Sequence, residues 1–191
     1  MTYLIAGLVV FLGMHSVRIV ADDFRARTVA RIGLNAWKAV YSVVSIAGFV
    51  LLVWGYGLSR AEGGFLWHPP RWTNHVAALF MLVSFVLLAA AYVPGNRIKA
   101  RVGHPMVAAV KLWAFAHLLA NGRAGDVVLF GAFLAWAIAD FIAARRRDRA
   151  AGTDYPVLGL ARDAITVAGG VVAYAVFALW LHVPLIGVRP Y

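Results

Sequence analysis

Cysteine is absent from this 191-residue chain, and charged residues are scarce at 14%. The missing thiols exclude disulfides, thiolate metal sites, iron–sulfur clusters and cysteine nucleophiles. Average soluble domains carry about 25% charged and about 45–50% apolar residues. Hydrophobic residues make up 63% of this chain. The composition therefore excludes a soluble globular protein and favours a chain that folds in lipid.

Acidic residues are few, at 8 against 18 basic residues, which gives a formal net charge of +10. Strongly basic chains often bind nucleic acid, but here the basic residues lie between apolar runs and do not form one patch. This pattern is typical of loops that meet lipid headgroups. We expect the lipid bilayer as the main partner and no nucleic acid.

The apolar runs predict an all-α, polytopic membrane bundle of about six transmembrane helices, forming a single domain over residues 1–191. A helix of about 20 apolar residues crosses the roughly 30 Å hydrocarbon layer. Transmembrane β-strands are excluded because the runs are apolar on all sides instead of alternating. The runs cover residues 2–20, 36–58, 74–93, 105–120, 127–144 and 164–181. The fourth is the shortest and carries Lys111, Trp113 and His117.

The basic residues predict the orientation of these helices. All but Arg60, Arg71, Arg123 and Arg189 lie in or beside the loops after the first, third and fifth runs. By the positive-inside rule these three loops face the cytoplasm, so both termini lie on the opposite side. The N-terminal residues lack the basic stretch of a signal peptide, and we expect the first helix to be retained.

Two of the six histidines lie inside predicted spans, namely His15 and His117. An ionisable residue in lipid is costly, so it normally faces the bundle interior and has a partner. A neutral imidazole among apolar neighbours suits an axial ligand of haem. Two other uses stay open: each imidazole donates to a carbonyl of a neighbouring helix, or the two bond to each other. A quinone site around Lys111, Trp113 and His117 is a further alternative.

Residues one turn from the two histidines fit the haem hypothesis. Ala114 leaves room for a porphyrin beside His117, and Arg18 can pair with a haem propionate or reach the headgroups. At 1.5 Å per residue, His15 and His117 differ in depth by about 5–9 Å, which helix tilt absorbs. His104 lies at the membrane boundary and is the poorer partner for His15.

Several segments resemble the NnrU membrane proteins of bacteria. They are His15-Ser16-Val17-Arg18, Gly103-His104-Pro105-Met106, the run from Lys111 to Gly122 that contains Trp113-Ala114-Phe115-Ala116-His117, and Leu185-Ile186-Gly187-Val188. The resemblance implies a multi-pass protein of the bacterial inner membrane that is linked to denitrification and nitric oxide metabolism. It also implies a relationship to the plant 15-cis-zeta-carotene isomerase, which uses haem b.

The resemblance to the isomerase implies haem b held by His15 and His117 as the metal ligands, with His104, Trp113 and Ala114 as further site residues. The isomerase has a cysteine where this chain has Ala114, so a thiolate switch is excluded here. Three roles follow as expectations: haem-dependent redox chemistry, cis–trans isomerisation of an apolar polyene, or non-catalytic assembly of the respiratory nitrogen-oxide machinery. No residue is assigned as catalytic.

Overall fold

The structure, a computed structural model, describes residues 1–62 and 64–190. Within this part the chain is almost entirely helical, with one isolated β-bridge between Phe65 and Arg123. The helices are α1 (Thr2–Val20), α2 (Asp22–Ile32), α3 (Leu34–Glu62), α4 (Trp72–Tyr92), α5 (Arg97–Val102), α6 (Pro105–Ala120), α7 (Ala124–Ala151) and α8 (Leu160–Val176), followed by a π-helical turn (Phe177–Leu181) and α9 (His182–Ile186). The predicted all-α class is confirmed.

Five segments are long and apolar enough to cross a membrane: Thr2–Val20, Leu34–Ala61, Trp72–Tyr92, Ala124–Ala151 and Leu160–Ile186. The polytopic helical bundle is therefore confirmed. The fourth predicted run, residues 105–120, forms α6, which has 16 residues. At 1.5 Å per residue such a helix is about 24 Å long, short of the roughly 30 Å hydrocarbon layer. The orientation of the termini stays a prediction.

The first basic loop contains a helix, α2, that the hydropathy pattern did not indicate. Asp22 and Asp23 lie in its first turn and Arg31 in its last, which complements the helix dipole. Gly33 ends it at φ 82°, a backbone angle that favours glycine. Charge at both helix ends favours this element, which is too polar on average for the hydropathy pattern to indicate.

The chain divides into two compact units. The first comprises residues 1–68 and 122–140, and the second comprises residues 69–121 and the chain from Phe141 onward. Helix α7 thus contributes its first part to one unit and its last part to the other. The assignment of a single domain stays a prediction.

In the first unit, α1 and α3 are antiparallel and approach closely at glycines. The backbone of Gly55 lies against Leu4, and that of Gly48 against Phe11. As the residue number rises along α1, that of its neighbour on α3 falls by the same amount. This register brings His15 of α1 level with the turn of α3 that follows Tyr41.

In the second unit, α4 packs against both α6 and α8. The Ser84 hydroxyl donates a hydrogen bond to the Ala109 carbonyl across α4 and α6, at 2.8 Å. Gly170 of α8 lies against the backbone of Val86. These contacts hold α6 against α4. His104 immediately precedes α6, and His117 lies in its last turn.

Replacing Gly55 with alanine should destabilise the first unit, since an ideal Cβ at Gly55 would lie 2.3 Å from the Leu4 backbone nitrogen. Overpacking of this kind costs about 1–3 kcal/mol. Gly57, two residues further along α3, has nothing within 4 Å of its ideal Cβ and provides the control. Thermal unfolding in detergent should show a lower Tm for Gly55→Ala than for Gly57→Ala. Equal Tm values would contradict the close approach of α1 and α3.

Candidate functional site

His15 lies in the last two turns of α1 and has a defined tautomer. Its Nδ1 lies 2.7 Å from the carbonyl oxygen of Phe11, four residues earlier. Because a carbonyl can only accept, Nδ1 carries the proton and donates this hydrogen bond. The lone pair of the neutral ring is then on Nε2, which is the nitrogen that can bind a metal.

Aromatic side chains from three helices surround the His15 ring, and we call this group, with Ser45, the His15 cluster. Ring centroids lie 4.2 Å away for Phe11, 5.2 Å for Tyr41 of α3 and 6.0 Å for Trp136 of α7. The Trp136 ring is nearly perpendicular to the imidazole, at 88°. The imidazole therefore lies among flat, largely apolar walls, all within the first unit.

Two polar side chains of this cluster, Trp136 and Ser45, bury their polar atoms. The Ser45 hydroxyl interacts with the hydroxyl of Tyr41, one turn earlier on α3. The Trp136 Nε1 has no hydrogen-bond partner among the side chains and backbone that the structure describes. Buried polar groups in native proteins are nearly always hydrogen-bonded, so this indole N–H is an exception.

His117 lies in the last turn of α6 and repeats the arrangement of His15. Its Nδ1 lies 2.8 Å from the carbonyl oxygen of Trp113, again four residues earlier. Nδ1 is therefore the donor here too, and the lone pair lies on Nε2. The Trp113 ring lies 5.4 Å from the imidazole. The Asn121 side-chain amide donates to the His117 carbonyl at 2.9 Å, at the end of the helix.

The structure places the remaining predicted site residues as follows. Ala114 is fully buried, and Trp113 contributes both a ring and a carbonyl to His117. Arg18 is exposed, and its Nε lies 3.8 Å from Asp22 Oδ1 at the start of α2. His15 and Arg18 belong to the first unit, and the other four to the second. The shared role of the six in haem binding stays a prediction.

His104 lies in a separate polar cluster of the second unit. Its Nε2 lies 2.8 Å from Asp148 Oδ2, and the Tyr155 hydroxyl donates to the same oxygen at 3.1 Å. Arg145 Nη1 lies 3.8 Å from that oxygen. An ionised carboxylate only accepts, so Nε2 of His104 is its donor. His104 thus has the opposite tautomer to His15 and His117.

Sequence reasoning missed Asp148, Tyr155, Trp136, Tyr41 and Ser45. Asp148 is 44 residues from His104, and no local motif connects them. Trp136 and Tyr41 lie in apolar runs where an aromatic residue is expected at any position. The α1–α3 register, which sequence alone does not provide, would have identified Tyr41 and Ser45.

A third polar cluster lies in the first unit and stabilises the fold. The buried Asp126 accepts from the Tyr56 hydroxyl at 2.7 Å and from the Arg123 backbone at 3.1 Å. The Arg123 guanidinium lies 4.4 Å from the Phe65 ring centroid. Such contacts fix the start of α7. In the described part of the chain, no three His, Asp or Glu side chains form a group that could hold a metal ion.

The five long apolar helical segments define this chain as a multi-pass helical membrane protein. The sequence model of the family described as NnrU protein matches residues 3–190. The chain therefore belongs to the NnrU family, and the resemblance seen in its motifs is confirmed. No curated protein and no solved structure matches it.

Replacing Asp148 with asparagine should lower the pKa of Tyr155. Burial, followed by the hydrogen bond to Asp148, raises that pKa above its ordinary value of 10.0. The pKa of Tyr155 is raised only in the folded state. Its contribution to stability is therefore complete below about pH 10, the pKa in the unfolded chain, and is lost as the pH rises through the pKa of the folded state. Tyrosinate absorbance, taken as the difference from the matching Tyr155→Phe protein, measures the change.

Asp154→Asn is the control for that titration. Asp154 is exposed, and its carboxylate accepts from the Tyr155 backbone nitrogen and not from the hydroxyl. This variant should leave the pKa of the phenol almost unchanged. An unchanged Tyr155 titration in Asp148→Asn would refute the assigned contact.

Proposed function

We propose that this NnrU-family protein binds haem b through the imidazoles of His15 and His117, and that it acts in the bacterial inner membrane in redox chemistry linked to denitrification and nitric oxide metabolism. One observation carries the proposal. His15 and His117 each donate from Nδ1 to the carbonyl four residues earlier, at 2.7 and 2.8 Å. In each ring the lone pair is therefore on Nε2, the nitrogen through which a metal would be bound.

The hydrogen bonds do more than select the tautomer. A ring nitrogen that donates to a carbonyl makes the other ring nitrogen a stronger metal ligand and restricts rotation of the ring. The aromatic rings around His15 offer flat, largely apolar surface, which suits a porphyrin. Trp113 supplies a similar surface beside His117. The residues present thus fit a haem.

Haem iron would supply a one-electron couple when bound, and His15 and His117, by holding it together, would favour electron transfer over the binding of a substrate. Ala114 supports the redox role over isomerisation, because the related isomerase has a cysteine there. This chain has no thiol that could exchange with a histidine on the iron. Its own residues hold, orient and shield the prosthetic group.

Absorption spectra of the detergent-purified protein test the haem assignment. Protein produced with ample haem should show a Soret band and sharp reduced bands typical of six-coordinate low-spin haem. His15→Ala and His117→Ala should each abolish or shift those bands. His182→Ala is the matched control, since its Nδ1 also donates to a carbonyl, that of Val188 at 2.7 Å. Wild-type spectra in both of the first two variants would refute the ligands.

Rescue with imidazole separates loss of a ligand from loss of folding. In His15→Gly, added free imidazole should restore the low-spin bands if the fold is intact. A colourless wild-type preparation despite ample haem would end the proposal.

A physiological experiment separates a haem function from an assembly role. Deletion of the gene should impair growth on nitrate under denitrifying conditions, and the wild-type chain should restore it. The His15→Ala/His117→Ala double variant should fail to restore growth although it reaches the membrane. Full restoration by that variant would contradict the redox role and favour a non-catalytic assembly factor.

A further inference from the structure

Lys111 of α6 carries a positive charge that no carboxylate of the described chain neutralises. The residue lies half-buried in the second turn of an apolar helix. Its Nζ lies 3.6 Å from the centre of the Phe141 ring of α7. None of the carboxylates that the structure describes forms an ion pair with it. The face of an aromatic ring attracts an ammonium, but a charge in apolar surroundings normally has an anion as its partner.

Helix α6 and the last part of α7 run antiparallel in the second unit. Lys111 lies against Phe141. Seven residues before the lysine, His104 contacts Asp148, which is seven residues after the phenylalanine. The level midway between these contacts has small, buried side chains, namely Ala108 and Ala144. Small residues let two helices approach closely, and the ammonium lies about 10 Å along this helix pair from the contact of His104.

The charged groups beside this helix pair carry an excess of positive charge. Asp148 is already engaged, since Arg145 Nη1 lies 3.8 Å from its Oδ2. The same oxygen is in contact with His104 and with the hydroxyl of Tyr155. Even with a neutral His104, Lys111 and Arg145 share a single carboxylate. The site therefore favours a negatively charged ligand.

The surroundings of Lys111 define the chemistry of that ligand. An ammonium has three N–H donors and a full charge, so it binds the oxygens of a carboxylate or a phosphate. One turn further along α6, the side chain of Phe115 is exposed. The ammonium thus lies beside an apolar surface, which suits an acidic group on an apolar molecule. Two membrane components have this chemistry, namely an anionic phospholipid and haem b with its propionates.

We propose that Lys111 binds the acidic group of such an amphipathic molecule, with the Phe141 ring positioning the ammonium. The site goes beyond the haem function, because a phospholipid would occupy it in the haem-free protein. For haem it rests on the proposed function. His117 is six residues further along α6, or about 9 Å, and the propionates extend from the edge of the porphyrin.

Thermal unfolding of the haem-free protein in detergent with added lipid tests the phospholipid. Phosphatidylglycerol should raise the Tm of the wild type more than phosphatidylcholine with the same acyl chains, because a ligand of the folded state stabilises it. Lys111→Met keeps an unbranched side chain without the charge and should lose most of this difference. Lys111→Arg keeps the charge and should retain the difference. Lys38→Met is the matched control, since Lys38 is exposed on α3 of the first unit.

Titration with hemin and with hemin dimethyl ester tests the propionate, with the Soret band as the readout. Lys111→Met should weaken hemin binding by about tenfold or more, as expected for a lost hydrogen bond between charged groups. It should leave binding of the ester almost unchanged, because the ester has no carboxylate charge. Lys111→Arg and Lys38→Met should both bind hemin like the wild type.

The two experiments identify the ligand and separate this site from the haem function. A loss confined to phosphatidylglycerol assigns the site to a phospholipid, and a loss confined to hemin assigns it to haem. Lys111→Met that equals the wild type in both experiments overturns the site. An equal loss for the uncharged ester, or an equal loss in Lys38→Met, also overturns it. Wild-type protein that binds no hemin contradicts the proposed function, and the lipid experiment then decides the site alone.

Discussion

The chemistry of this protein depends on a constraint that lipid imposes, namely that a polar group inside the bilayer needs a hydrogen-bond partner within the protein. His15 and His117 meet this constraint by donating from Nδ1 to a carbonyl one helical turn earlier. A helix thereby satisfies one ring nitrogen of each histidine by itself. The lone pair of each neutral ring is then on Nε2, the tautomer that a metal-binding histidine needs.

The two histidines at the ends of α6 satisfy this constraint with different partners. His104, at the start of the helix, uses Nε2 to contact Asp148, where Tyr155 also donates. His117, in the last turn, uses Nδ1 on its own helix. One imidazole thus takes part in a network that holds the N-terminal end of α6, while the other keeps the tautomer of a metal ligand. The buried Nε1 of Trp136 is an exception, since it has no hydrogen-bond partner in the described part of the chain.

Much of this could be predicted from the sequence, because apolar runs and the cost of ionisable groups in lipid are properties of short segments. From these properties we predicted a helical membrane protein and identified His15 and His117 as candidate site residues. Helix α2 was missed because it is polar and is stabilised by charge at its ends. Asp148 and Trp136 were missed because their contacts join distant parts of the chain, and no local pattern encodes a register between helices. The family match agrees with the motifs around the same histidines.

Electron paramagnetic resonance of the oxidised, haem-loaded protein tests the central claim most directly, since it reports the axial ligands of ferric iron. If His15 and His117 both bind the iron, the spectrum should show the low-spin signal that two imidazole ligands give. A high-spin ferric signal in the wild type, or protein without haem iron after production with ample haem, would contradict the account.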